Sequence, residues 1–352
     1  MRYCESGYQV GPSKRVSTAN FVSELKMLYP KLSIGLPVYN GENYLAESVQ
    51  SILDQDFEDF ELIISDNAST DGTGEICQTF AAKDSRIRYI RQESNLGAAP
   101  NYNLVVELAR GPYFKWQAHD DNLLPGFLSH CMTAMQLDAD AVLAYPMTSV
   151  IDGSGHEIGL FDDGLDLPQN TPSARLEAYL KQNFMRRRGL CNPIFGIIRI
   201  NKLRRTRLIQ DFLASDLILL AHLALLGKFI RLPEKLFERR VHPGISTAAQ
   251  ASHADRRRWF NTSSKQGLPL FDNELSLRIK HIRNLFQAID ELVDDRKERD
   301  LCRRMLRKML IRDPKWIYID LKYSLGFRPS WSESARSISA NNRPQPHSDG
   351  SA

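Results

Sequence analysis

Cysteine is scarce in this sequence and poorly placed for covalent or metal chemistry. The 352 residues include five cysteines (Cys4, Cys77, Cys131, Cys191, Cys302), an odd number with no CxxC spacing. That argues against a disulfide framework or a zinc site and suits a reducing compartment. Long apolar runs are also missing. The best candidate, 212–230, is interrupted by Asp216, His222 and Lys228. Each ionised group at bilayer depth costs about 2.5–3.5 kcal/mol even on insertion scales, so the stretch reads as a buried helix. No charged-then-apolar signal pattern opens the chain. Net charge is only +4, which does not point to a nucleic-acid partner. No P-loop pattern occurs, and Pro37-Val38-Tyr39-Asn40-Gly41 stands where a dinucleotide dehydrogenase needs GxGxxG.

What is present is the balance of a globular protein, with 42% apolar and 25% charged residues. A short apolar run at 32–36 is stopped by Pro37 and reads as a buried strand. A helical pattern follows, with Tyr44, Leu45, Val49, Ile52 and Leu53 on one face. Strand patterns recur at 61–65, 87–90 and 112–116, separated by helical stretches. Four such alternations predict an α/β fold with a mostly parallel sheet flanked by helices. Ligands of such sheets sit beyond the carboxyl ends of the strands, where each polar cluster of this half falls. Further short strands are expected at 141–145, 147–151, 229–232 and 236–241. Ser215 is placed to cap a helix ending before Gly227.

The expected organisation is a variable leader (1–30) and a main domain (31–250) of two halves, 31–150 and 151–250. A basic helical extension (251–329) and a disordered tail (330–352) follow.

Asp120 and Asp121 follow an apolar run holding Tyr113, Phe114 and Trp116. Adjacent carboxylates at a strand end can divide the work around a divalent cation. One ligates it while the other binds a ribose hydroxyl or a metal-bound water. An isolated Asp-Asp pair is more often a solvated turn; its company decides. LSIGLPVYNGENYLAESVQSIL (32–53), ELIISDNASTDGT (61–73) and AHDDN (118–122) stand in order along the chain. Together they resemble the signatures of glycosyltransferase family 2, which has the Rossmann-like GT-A fold.

The resemblance implies an inverting transferase moving a sugar from a nucleotide-diphosphate sugar, with UDP the expected nucleotide, to a hydroxyl of a glycan or lipid-linked acceptor. The cofactor it implies is Mn²⁺ or Mg²⁺. Pro37, Val38 and Tyr39 would line the base, and Asp66 or Asn67 would contact it. Many members carry two acidic residues there, so Asn67 leaves open which residue reads the base. By the same correspondence Asp121 holds the metal and Asp120 the ribose, while His119 supports the loop. Asp216 resembles the catalytic base, because inversion needs a group that removes the acceptor proton as the new bond forms. The loop 192–196 resembles the one before the acceptor subsite. Arg239-Arg240-Val241-His242 resembles the segment that closes over the diphosphate. His242 would be a further metal ligand, and strand alternation favours Arg240 over Arg239 at the phosphates.

The expected location is cytoplasmic, with a role in polysaccharide biosynthesis. The basic helices are expected to rest peripherally on the inner face of the membrane. The competing reading is a non-catalytic sugar-nucleotide-binding or scaffold protein that keeps the fold.

Overall fold

The computed structural model describes residues 29–184, 191–242 and 274–312. The disordered tail and most of the leader expected from the sequence lie outside those residues, as do 251–273 and 313–329 of the extension.

The first half is the expected alternation: β1 (Leu32–Val38), α1 (Leu45–Leu53), β2 (Phe60–Asp66), α2 (Thr73–Lys83), β3 (Ile87–Arg91), α3 (Ala98–Leu108) and β4 (Tyr113–Trp116). The strands lie in the order β3-β2-β1-β4, all parallel. Every residue of β1 and β2 is buried, which is why they read as continuous apolar runs rather than alternating ones. Gly35 permits the helix layer to close on the sheet. A Cβ there would lie 2.6 Å from the Val105 side chain of α3.

The second half comprises β5 (Asn122–Leu123), α4 (Phe127–Leu137), β6 (Ala141–Ile151), β7 (Glu157–Phe161), α5 (Pro172–Tyr179), β8 (Ile197–Arg199), α6 (Ile200–Leu203), α7 (Ser215–Leu226) and β9 (Lys228–Arg240). It continues the same sheet as β4-β8-β6-β9-β5, with β7 paired to β6. β6 and β9 are parallel, while β8, β5 and β7 pair antiparallel with their neighbours. The parallel character belongs mainly to the first half, and the whole sheet is mixed.

Two expectations for this half are corrected. The four short strands are two long ones, because Pro146 and Pro233 mark bends rather than ends. Tyr145 faces Arg231 but Met147 already faces Lys235, so the extra residues of β9 bulge out and the ladder resumes. Ser215 does not cap α7. It is the first helical residue, and Ala214 precedes it in a left-handed conformation at φ 60°.

The extension contributes α8 (Glu274–Leu292) and α9 (Arg296–Arg312). Leu285, Ala288, Ile289 and Leu292 of α8 and Cys302 and Leu306 of α9 are buried in the same core as α5 and α7. Arg207 bonds Gln287 and Glu291 at the edge of this contact.

Candidate active site

The site gathers where β1, β2 and β4 end and β9 finishes. Pairing of β5 with β9 sets Asn122 opposite Glu238, which brings the turn after β4 against Arg239, Arg240 and His242.

The two adjacent carboxylates point to different partners. Asp121 is 4% exposed, and its Oδ1 accepts the backbone N–H of Arg240 at 3.0 Å. Burial, reinforced by the charge of Asp120, raises its pKa above the usual carboxylate range. Asp120 turns to the imidazole of His242, with Oδ2 and Nε2 3.1 Å apart. The two side chains are 12% and 13% exposed. Tyr44 packs its ring on His242 at 4.8 Å, and the Arg240 guanidinium lies 4.7 Å from the Tyr44 centroid. His119 is the wall behind. A Cβ on Gly41 would come within 2.6 Å of its ring.

Among the described residues, no group of three or more His, Cys, Asp or Glu converges. Asp120 and His242 nevertheless offer one oxygen and one nitrogen donor at a partly open position. This donor set fits manganese or magnesium, which take few protein ligands and fill the shell with phosphates and water. It does not fit a closed structural zinc site.

Arg240 and His242 do share a face, but Arg240 is committed within the protein. It is buried, donating through Nε to the Asp120 carbonyl (3.0 Å) and through Nη2 to Glu47 (2.7 Å). Arg239 is the more open of the two. It donates to Asn192 Oδ1 at 2.9 Å, and its charge draws down the carboxyl of Asp163. Burial wins there, pushing Asp163 up to about 8.

On the base side, both polar candidates are saturated. Asp66 accepts from the Ser69 N–H (2.8 Å), the Tyr89 hydroxyl (2.9 Å) and Arg91 Nη1 (2.6 Å). Asn67 donates to Asn95 Oδ1 (3.0 Å) and Gly97 O (3.1 Å) and accepts from the Leu96 N–H (2.9 Å). They hold a loop in which Ala68 has φ 61°. Pro37 and Val38 are buried in the end of β1, and Tyr39 is 44% exposed. Arg91, half exposed beside Asp66, was missed in the sequence, although the strand-end rule that selects Asp66 also selects its register partner.

Asp216 is the second residue of α7, and its Oδ1 accepts the Leu217 N–H at 2.9 Å. The Cys191 thiol lies against it, held protonated by burial and by that carboxylate. Tyr102 of α3 senses the charges at both ends of the site. Burial first, then the charges of Asp120, Asp121 and Asp216, push its hydroxyl pKa up. Gly196, in the loop before β8, answers to the sheet. A Cβ there would sit 2.5 Å from the Ala144 carbonyl oxygen.

The model of glycosyl transferase family 2 matches residues 33–213, just over half of the chain. The chain belongs to glycosyl transferase family 2. This family 2 protein is 36% identical over 113 residues to the glycosyltransferase GlyG of Streptococcus pneumoniae serotype 4, covering 32% of the chain and 38% of GlyG. It is 42% identical over 97 residues to EpsE of Bacillus subtilis 168, covering 27% of the chain and 35% of EpsE. The matched segments are thus well under half the length of either relative. A crystal structure of residues 1–349 of S. aureus TarS in complex with UDP-GlcNAc matches with a TM-score of 0.54 at 18% identity, over 80% of this chain and 72% of that one. The fold is GT-A.

Proposed function

We propose that this family 2 protein is an inverting glycosyltransferase that takes a sugar from a UDP-linked donor and passes it to a hydroxyl of a glycan or lipid-linked acceptor. The observation that carries it is the meeting of Asp120 with His242 where β4 and β9 end, 3.1 Å apart. The UDP-GlcNAc in the TarS crystal structure supports the choice of nucleotide.

In this reading Asp120 and His242 would hold Mn²⁺ or Mg²⁺, and Asp121 acts as a strut, because one of its carboxylate oxygens already receives the Arg240 N–H. That division moves the metal from Asp121, where the family correspondence puts it, to Asp120. When bound, the cation supplies Lewis-acid neutralisation of the diphosphate charge. Arg239 adds a partly open guanidinium for the phosphates, and Arg240 braces the turn through Glu47 and the Asp120 carbonyl. Tyr39 offers an open ring for the base. Asp216 accepts the proton of the acceptor hydroxyl as that oxygen attacks the anomeric carbon.

Release of nucleoside diphosphate from a panel of sugar donors, with and without Mn²⁺, tests this reading. Mn²⁺-dependent release that Asp216→Asn abolishes is expected. Donor binding without release would instead select the non-catalytic alternative.

We also propose a cytoplasmic site of action with peripheral contact to an anionic membrane surface. Lys297, Leu301, Arg304, Lys308 and Ile311 of α9 are exposed at helical spacing, a basic face with two apolar side chains. No helix among the described residues is long and apolar enough to cross a membrane. Failure to float with anionic liposomes at low salt would reject this contact.

A further inference from the structure

Lys115, in the middle of β4, plays no part in the chemistry above, yet it lies directly beneath the site. It is fully buried, with its Nζ 4.7 Å from the Phe127 ring centroid and 5.4 Å from that of Phe237. Burial pulls its pKa down to about 7. An amine is an expensive group to place among aromatic rings, and an apolar side chain of similar length would fill the same space without that cost.

Its hydrogen bonds show what it holds. Nζ donates to the Trp116 carbonyl and to Gln117 Oε1, both at 2.8 Å. A primary amine keeps at least two N–H donors whether charged or neutral, so both bonds stand in either state. The second bond decides which way the Gln117 amide faces, since the reverse orientation would set two donors against each other. Oriented this way, Gln117 Nε2 donates to the Asp121 carbonyl (2.6 Å) and to Ser48 Oγ (3.2 Å). Ser48 Oγ in turn donates to the Ala118 carbonyl at 3.0 Å. Lys115, Gln117 and Ser48 are all fully buried. One chain of side chains therefore grips both ends of the 118–121 turn from below, and that turn carries Asp120 to His242.

We propose that Lys115 is a positioning residue for the Asp120–His242 pair, acting through the amide of Gln117 to fix the 118–121 turn. This rests on reading the pair as the cation and diphosphate site.

The test is calorimetric titration of UDP into the full chain in the presence of Mn²⁺, together with thermal unfolding without either ligand. Lys115→Met is expected to bind UDP about tenfold to a hundredfold more weakly, the usual consequence of losing a residue that orients metal ligands. Its unliganded melting temperature should stay close to that of the wild type, since relief of the buried amine offsets the two acceptors left unpaired. Gln117→Leu should weaken binding similarly, and the double variant should be no weaker than Gln117→Leu alone, because both act along one chain. Unchanged affinity in Lys115→Met overturns the proposal, and so does an additive double variant. Should Lys115→Met not fold, Gln117→Glu replaces it, withdrawing the donor from the Asp121 carbonyl while leaving Lys115 in place. Unchanged affinity there overturns the proposal equally. A wild type that binds no UDP with Mn²⁺ overturns the reading of the site itself, and this inference with it.

Discussion

Glu61, buried in β2, and Asp121, buried just beyond β4, are carboxylates in opposite circumstances. Burial alone would raise Glu61, but hydrogen bonds from Arg110, Arg88 and Ser33 outweigh it and hold its pKa low. Asp121 receives one backbone N–H, and burial beside Asp120 drives its pKa up. The contrast extends to the two halves of the sheet. In the parallel half, Asp66, Asn67 and Glu61 are fully engaged by side chains and loops of that half. Among the described residues, every buried side-chain polar atom without a hydrogen-bond partner lies at or after Asn122, including Asn122 Oδ1, Thr148 Oγ1, Ser215 Oγ and both ring nitrogens of His222. The first half spends its polar groups on its own rigidity. Two of the atoms left over, Asn192 Nδ2 and Ser215 Oγ, belong to residues beside Arg239 and Asp216.

The largest expected effect breaks this contrast at its functional end. Asp216→Asn should lower transfer by about 10²–10⁴-fold, the usual contribution of a general base, with donor affinity unchanged. Retained turnover would mean that Asp216 is not the base.

A stability test comes next. Burial holds His222 of α7 at about 4, against about 6.5 in an unfolded chain. The folded value is the lower one, so its contribution is complete above pH 6.5 and is lost as pH falls from there toward 4. The loss approaches about 3 kcal/mol. His222→Leu should flatten the pH dependence of denaturant unfolding across that window, and an unaltered slope would contradict the placement.

Glu61→Gln should cost about 2–3 kcal/mol of unfolding free energy, since it leaves two arginines without their shared partner. Their partial exposure keeps the loss below that of a fully buried pair. Donor affinity should not change, because this network serves the scaffold. The smallest effect is expected for Arg207→Ala, about 0–1 kcal/mol by the same measurement. Its pairing with Glu291 is solvent-exposed, whereas the apolar face of α8 carries the docking.

The parallel half was largely legible in the sequence, since each strand is a short apolar run and each polar cluster follows one. What could not be read was the engagement of those clusters. The partners of Asp66 and Asn67 come from β3 and the 95–97 loop, more than twenty residues away. The divergence of Asp120 from Asp121 depends on β9, nearly 120 residues later. Pro146 and Pro233 fall in the gaps between the short strands expected there, yet the pairing resumes beyond both. Lys115 was hidden for a related reason. In a central strand buried on both faces, alternation does not mark an inward lysine.

The placement of the diphosphate end of the site at Asp120 and His242 is tested most directly by calorimetric binding of UDP to the wild type and to Asp120→Ala, each with and without Mn²⁺. Binding that needs Mn²⁺ in the wild type and is lost in Asp120→Ala is expected. Equal binding by both proteins, with or without Mn²⁺, would contradict it.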